Sequence, residues 1–291
     1  MDIIITTEIL SEFFTGLQSF TKNNNAQLLS SAIKNENNII KTSKNQIEYF
    51  EIYFKERSPE EFENYKSFIT EYVDTNQIKT AKTTNSNNSE KSEICEIFNT
   101  DYDSFSFIFI KNECNLLNVI KNHVLIYNNI KKPNKDWLIL ELCSYRTATL
   151  TYNDFSSTVE LNNIFDFCRN LKRTNEVHII DSYFNLRSFS NLSHFKGIGK
   201  NLFCYTSSCN LSNANINLKR NDIKKYFGKN TKVRFSSDKS IIHERKIYID
   251  LLCLESTHDF EEITLRNKNW TIYVRFCISY DYKTEKLSKY N

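Results

Sequence analysis

The stretch HERKIYID, residues 243–250, joins a histidine, a cation and a carboxylate to an alternating apolar run. In a β-strand, residues i and i+2 point to the same face. We therefore expect His243 and Arg245 to project together, with isoleucines continuing their face and Asp250 closing the strand. A histidine that attacks phosphorus, a cation for phosphate oxygens and a carboxylate that orients an imidazole are what phosphoryl transfer without a metal requires. The stretch predicts such chemistry on a strand.

Around this stretch, predicted strands and helices alternate. Helices are predicted over 161–171, 186–195 and 218–226, and strands over 177–181, 201–206, 232–235 and 270–279. This alternation predicts a parallel-type sheet with crossover helices. Asp181 and Tyr183 follow the first of these strands and Ser207 follows the second, at the strand ends where open α/β sheets place ligands. A capping role at the strand end is the alternative for Asp181 and Tyr183.

The spacing H-x-R-x4-D in this chain resembles the H-x-K-x4-D signature of the phospholipase D superfamily, with Arg245 in place of lysine. The order of predicted elements also resembles that family: a strand ending in Asp-x-Tyr, a helix, a strand ending in small polar residues, a helix and then the histidine motif. Ser256 matches the serine of the family's Gly-Ser pair, whereas Glu255 replaces the glycine. The resemblance covers about residues 172–280. It implies a mixed sheet flanked by helices.

The resemblance also implies roles for individual residues. His243 would be the nucleophile that forms a phosphohistidine, and Arg245 would bind non-bridging phosphate oxygens. Asp250 would orient and polarise this imidazole or that of a partner motif, and Ser256 would add a hydrogen bond to phosphate. The remaining predicted substrate contacts lie at strand ends and in the turn after Ser256: Asp181, Tyr183, Ser207 and His258.

A second motif histidine would be needed to protonate the leaving oxygen, and the chain contains one copy of the motif. The similarity to single-motif nucleases implies a homodimer that joins two motifs across a two-fold axis. The resemblance implies that the protein is a phosphodiesterase that cleaves DNA or RNA without a metal or another cofactor. A small nuclease of this kind, fused to an unfamiliar domain, would suit a role as a bacterial defence or toxin effector.

Two other functions stay open from the sequence. The arrangement Ile-His-x-Arg-x-Ile also resembles the non-catalytic phospholipase D-like domain at the carboxyl end of MIT-domain proteins. That resemblance implies a module that binds a phosphoinositide, a nucleotide or a protein partner. A metal-dependent nuclease centred on Asp101, Asp103 and Glu113 is the third alternative, although nothing in the sequence fixes the geometry of these carboxylates.

The amino-terminal half resembles no family that we recognise. We expect residues 1–150 to form an uncharacterised α/β domain with a sensor, partner-binding or dimerisation role, and residues 151–291 to form the phospholipase D-like domain. A helix is predicted from Ser58, the N-cap, to Val73, because Pro59 takes the first helical position and a glutamate follows three residues after the cap. The run 137–142 is predicted to be a strand.

Composition narrows the protein class. With 291 residues, 40% of them hydrophobic, the chain can bury a sizeable core, and a net charge of +3 argues against a strongly basic nucleic-acid scaffold. Eight cysteines without a C-x-x-C pair predict reduced, buried thiols. The first residues lack the basic region of a signal peptide, and no run approaches the ~20 apolar residues of a membrane helix. We expect a soluble, cytoplasmic protein.

Overall fold

The computed structural model describes most of the chain in two compact units, Met1–Tyr145 and Arg146–Asn291. The second unit begins at residue 146 because the strand that follows pairs within the second unit's sheet. Both units mix helices with a sheet, so the predicted α/β class is confirmed. The described residues are 1–18, 24–80, 93, 97, 106–113, 123–171, 176–184, 191–198, 201–238, 244–250, 252–277, 284, 287 and 288.

The first unit is built on a five-stranded parallel sheet in the order β3-β2-β1-β4-β5. The residues of β1 and β4 are buried along their whole length, as expected for central strands covered on both faces. The strands are β1 (Asp2–Ile5), β2 (Ile39–Thr42), β3 (Ile78–Thr80), β4 (Ser106–Ile110) and β5 (Val124–Ile126). The helices are α1 (Thr7–Gln18), α2 (Asn24–Lys34), α3 (Lys44–Arg57), α4 (Pro59–Asp74) and α5 (Lys135–Tyr145).

Helix α4 begins where the sequence predicted. The hydroxyl of Ser58 accepts a hydrogen bond from the backbone N–H of Glu61 at 3.1 Å, and Pro59 occupies the first turn. Its aromatic stripe is core, since Tyr65 and Phe68 are buried and pack against aromatic rings of α1 and α3. The cap and the stripe together fix where this helix starts and which face it buries.

The strand predicted over 137–142 is wrong, because these residues lie in helix α5. The run is buried all round, so its apolar residues show neither a helical nor a strand period. Asn134 begins the helix by accepting the backbone N–H of Trp137 at 2.9 Å. The buried Asp136 accepts the N–H of Ile126 at 2.8 Å and so ties the helix to β5.

The second unit is built on a seven-stranded mixed sheet in the order β6-β12-β11-β10-β7-β8-β9. Strands β7, β8 and β9 are parallel, and the remaining neighbours are antiparallel. The strands are β6 (Thr147–Thr151), β7 (Val177–Asp181), β8 (Leu202–Ser207), β9 (Lys232–Ser236), β10 (Arg245–Ile249), β11 (Leu252–Ser256) and β12 (Thr271–Phe276). Helix α6 (Thr158–Asn170) connects β6 to β7, and α7 (Asn213–Phe227) connects β8 to β9.

Both faces of the centre of this sheet are buried. One face carries a cluster that includes Ile180, Tyr205 and Tyr248, and the other carries Ile179 and Ile247. The predicted helix over 186–195 falls partly outside the described residues, and 191–195 form a 3-10 helix. Five of the six described cysteines are buried, and all six are free thiols, as predicted. None of the helices in the described ranges is long and apolar enough to cross a membrane.

We predict that Ser58→Ala lowers the free energy of unfolding by about 1 kcal/mol, because a helix N–H loses its capping partner. The measurement is the urea midpoint of the variant against the wild type. Ser67→Ala is the matched control, since Ser67 is exposed within α4 and caps nothing. Equal effects of the two changes would contradict the capping role.

Candidate functional site

The candidate site of the second unit is a row of polar side chains along one edge of the sheet. Arg245 at the start of β10 lies directly opposite Asp181 at the end of β7. The neighbouring registers place Ser256 of β11 beside Arg245, and Thr206 of β8 beside Asp181. Adjacent strands are ~4.8 Å apart, so the four side chains form one line across four strands. Directly opposite residues share a sheet face, so this line borders the apolar face that contains Ile247.

The guanidinium of Arg245 is held by two partners. Its Nε donates to Oδ1 of Asp259, which lies in the turn after β11, and this contact is a partly buried ion pair. The Arg245 guanidinium carbon also lies 5.7 Å from the centroid of the Tyr183 ring. The Arg245 side chain is only 15% exposed. A cation fixed in this way is pre-oriented at the edge of the sheet.

Asp181 is buried at the end of β7 and shapes the turn that follows. Its Oδ1 accepts the backbone N–H groups of Tyr183 and Phe184 at 3.0 and 3.2 Å. Burial raises the pKa of the Asp181 carboxyl, the two N–H bonds oppose that shift, Asp259 adds to it, and Arg245 lowers the pKa. Asp181 therefore holds the turn and Tyr183 in place, which is the capping role that the sequence left open.

Lys219 of α7 is a second cation at this edge. Its Nζ donates to the carbonyl of Ser182 at 3.2 Å, and the hydroxyl of Thr206 donates to the same carbonyl at 3.1 Å. Burial lowers the pKa of Lys219, and the charge of Asp181 raises it. Lys219 is partly buried beside Asp181, so it does not lie on a fully solvated helix face.

The predicted serines take part in turns. Ser207 accepts the backbone N–H of Cys209 at 3.0 Å. The hydroxyl of Ser256 donates to the carbonyl of His258 at 2.6 Å and accepts its N–H at 3.0 Å. The Nδ1 of His258 lies 2.9 Å from the hydroxyl of Thr257. Ser256 and His258 thus build the turn that presents Asp259 to Arg245.

The structure places Asp250 at the opposite end of β10 from Arg245. Asp250 lies in the hairpin turn between β10 and β11, buried and with a φ of 52°. Arg245 begins β10, and five residues along a strand span roughly 16 Å. The prediction that Asp250 closes this strand is confirmed, whereas its role in orienting an imidazole stays a prediction. Asp250 stands where the hairpin needs a left-handed residue, a conformation that Asp and Asn adopt more readily than most.

His243 lies outside the described residues, so its role as nucleophile stays a prediction. Asp101 and Asp103 also lie outside them. Glu113 accepts a hydrogen bond from the side chain of Asn129 at 3.1 Å. Within the described part of the chain, no group of three or more His, Cys, Asp or Glu side chains could hold a metal ion.

An open groove of about 520 Å³ runs from the polar row towards β12. Arg275 contributes a second guanidinium, which forms an ion pair with Glu255, and the ring of Tyr273 is 40% exposed. The sequence analysis did not identify either residue, although the alternation along β12 that exposes them can be predicted from the sequence. The groove is lined by Arg245, Glu255, Ser256, Thr257, Tyr273 and Arg275.

We predict that the Asp181→Asn variant loses less folding stability than the wild type when the pH is raised. An acid with a raised pKa in the folded chain holds its proton more tightly there than in the unfolded chain. Folding stability therefore falls as pH rises from about 4, the unfolded value, through the raised pKa. Asparagine keeps the acceptor oxygen but does not ionise, so the variant should gain stability over the wild type across this range.

The measurement is the unfolding midpoint of both proteins at several pH values. Glu93, whose pKa is raised to about 7 by burial, also titrates but affects both proteins alike. Parallel curves for the two proteins would show that Asp181 does not carry the effect.

Comparisons with known proteins leave the family open. No protein-family model matches the chain, and a search of curated proteins finds no match. Among solved structures, a polyphosphate kinase from Porphyromonas gingivalis is similar over 49% of this chain and 25% of its own, with 11% sequence identity and a TM-score of 0.33. The match thus spans about a quarter of that kinase. A TM-score this low establishes no shared fold, so any function must come from this chain's own residues.

Proposed function

We propose that the second unit is a metal-independent phosphodiesterase that cleaves nucleic acid through a phosphohistidine on His243. The observation that carries this proposal is the position of Arg245, a pre-oriented guanidinium in register with Asp181 at the strand ends and in the same neighbourhood as Lys219. Two cations at the carboxyl ends of parallel strands suit the non-bridging oxygens of a phosphodiester. His243 lies two residues before Arg245 in sequence.

The chemistry proceeds in two displacements. The imidazole of His243 attacks phosphorus, a P–N bond forms, and the P–O bond to the leaving alkoxide breaks. The leaving oxygen takes a proton from the motif histidine of a second copy of the chain. Water then attacks phosphorus and gives its proton to the second histidine, the P–N bond breaks, and both histidines are regenerated. Arg245 stabilises the charge on the non-bridging oxygens in both steps.

A polyanionic substrate is supported by the charge around α7 and β9. Residues 219–234 contain seven Lys or Arg and one Asp, a net charge of +6, whereas the whole chain carries +3. Lys232 and Arg234 are exposed on β9, which ends the sheet, and Arg220 lies over the ring of Phe235 at 5.1 Å. A basic strip of this kind in a chain of low net charge is typical of nucleic-acid binding.

A second candidate is a non-catalytic module that holds a phosphorylated ligand or a protein partner. The observation that favours it is the pairing of both groove guanidiniums with carboxylates, Arg245 with Asp259 and Arg275 with Glu255. Arginine also differs from the family's lysine in binding phosphate through a planar fork rather than as a point charge. This candidate predicts affinity without turnover.

We predict that the wild type cleaves DNA or RNA in EDTA and that His243→Ala abolishes cleavage while retaining substrate binding. Arg245→Ala should weaken both, because it removes the phosphate-binding cation. The measurement is the cleavage rate of single- and double-stranded substrates. His194→Gln is the control, since this histidine bonds to Asp166 and Asn162 away from the polar row.

The outcomes separate the candidates. Loss of cleavage on chelation would point to a metal enzyme and reject the histidine mechanism. Folded protein that binds but never cleaves would favour the module. Because one site needs two histidines, activity should also fall on dilution as the homodimer dissociates; full activity in a monomer would reject the shared site.

We predict that the double variant Lys232→Gln, Arg234→Gln weakens nucleic-acid binding and flattens its salt dependence. Each lost phosphate contact should reduce the slope of log affinity against log salt by about 0.7 for single strands or 0.9 for duplex DNA. Lys55→Gln with Lys66→Gln is the charge-matched control in the first unit, where both lysines are exposed. Equal changes in the two double variants would mean that only net charge matters.

A further inference from the structure

We propose that the N-terminus of α1 in the first unit is a binding site for a small carboxylic acid with a hydroxyl or amino group beside its carboxylate, and that the ligand displaces Glu93 from this site. The proposal is independent of the phosphodiesterase proposed for the second unit. It gives the first unit a ligand, as the sensor role expected for residues 1–150 requires.

The site lies at the carboxyl end of β1, the central strand of the five-stranded parallel sheet. The chain passes from β1 to β2 and β3 on one side and then to β4 on the other, so the strand order reverses next to β1. Thr6 follows β1 and is the N-cap of α1, since its carbonyl accepts the N–H of Leu10 at 3.0 Å. Open parallel sheets bind ligands outside the carboxyl ends of the strands at such a reversal, which is where α1 begins.

The carboxylate of Glu93 is held at this N-terminus by three hydrogen-bond donors. The backbone N–H of Thr7 donates to Oε1 at 2.8 Å, and the hydroxyl of Thr7 donates to Oε2. The side chain of Gln46 in α3 is the third donor, and its Nε2 also donates to the carbonyl of Ile5, the last residue of β1, at 2.7 Å. A helix N–H together with two neutral side-chain donors forms a cradle for a carboxylate.

Two buried oxygen atoms beside this cradle have no hydrogen-bond partner within the described residues. They are the hydroxyl of Thr6 and Oε1 of Gln46, and these two residues are 3% and 0% exposed. Oε1 belongs to the amide that contacts Glu93, and the hydroxyl of an N-cap residue lies beside the first N–H groups of its helix. Because buried polar atoms are nearly always paired, two such oxygens in one place indicate that a ligand with a donor group fits here.

Glu93 matches only part of this set of groups. Burial raises the pKa of its carboxyl to about 7, and the charge of Glu8 adds to the rise, although the hydrogen bonds from Thr7 and Gln46 oppose it. The ionised carboxylate therefore gains less from its three donors than it loses in hydration, and it offers no donor to the two unpartnered oxygens. A carboxylate with a neighbouring O–H or N–H satisfies both the donors and the acceptors.

The ligand must be small. Its carboxylate takes the place of the Glu93 carboxylate, so the room available to it is the room that the Glu93 side chain gives up. An α-hydroxy acid or an α-amino acid has this size. The change Glu93→Ala removes a group with the heavy atoms of acetate, and glycolate adds one hydroxyl to that group.

The first test is chemical rescue of Glu93→Ala, measured as the urea midpoint in sodium glycolate, acetate, phosphate and chloride at equal ionic strength. Acetate should stabilise the variant relative to chloride, because it refills the cradle. Glycolate should bind roughly fivefold more tightly than acetate, through the additional hydrogen bond. Glu56→Ala removes an exposed carboxylate from α3 and is the control for the general effect of each salt.

The second test uses the wild type, so it does not depend on the folding of Glu93→Ala. Glycolate should bind the wild type more tightly at pH 6 than at pH 8, because a protonated Glu93 accepts more weakly from its three donors and does not repel the ligand. Glu93→Gln cannot ionise and should bind glycolate equally at both pH values. Isothermal titration calorimetry measures both proteins.

Three results would overturn the proposal. Equal rescue by acetate and glycolate would mean that the contacts of Glu93 are structural only, and preference for phosphate would reject the carboxylic acid. Wild type that does not bind glycolate at pH 6 would reject the site, whether or not Glu93→Ala folds. Cleavage of nucleic acid is a separate measurement, so the phosphodiesterase and this site can fail independently.

Discussion

The pairing of β10 with β7 is the constraint on which the candidate site depends. Because the strands are antiparallel, Arg245 at the start of one meets Asp181 at the end of the other. A slip of one residue would turn Arg245 to the opposite face of the sheet and put Lys246 in its place. The isoleucines of β10 and β7 prevent this slip, since their burial fixes which face each residue takes. Packing of the core thus sets the position of the cation.

The charged side chains at the sheet edge are partly desolvated by burial, and their opposite charges balance one another. Arg245 lies between the carboxylates of Asp181 and Asp259, and Lys219 contributes a second cation beside Asp181. Removing the guanidinium of Arg245 would leave the partly buried carboxylate of Asp259 without this partner, which costs more than the pair contributes. The directions of the two pKa shifts agree with this balance. Burial disfavours the charged form of both Asp181 and Lys219, the charge of Asp181 raises the pKa of Lys219, and Arg245 lowers the pKa of Asp181.

Local sequence patterns predicted much of the fold but did not predict contacts between residues that are distant in the sequence. The cap at Ser58 and the strands β7 to β10 follow from spacing and periodicity, whereas α5 was mistaken for a strand because a helix buried all round has no period. Asp181 was placed correctly at the end of a strand, and Arg245 was placed correctly on a strand. Asp250 was predicted correctly to close its strand. Lys219 lies on a crossover helix and Asp259 lies in a turn. The spacing of residues in the sequence does not predict where these two elements lie against the sheet.

The ion pair of Arg245 with Asp259 bears on the kind of substrate this site suits. A carboxylate and a phosphodiester oxygen compete for the same guanidinium, and Asp259 has the advantage of a high effective concentration within the fold. A small phosphate ester must displace it with one charge alone. Under the proposed function, a nucleic-acid strand would bring further phosphates to the basic strip of residues 219–234, so that several weak contacts act together in displacing one carboxylate. The internal ion pair would then favour polymers over single phosphates as substrates.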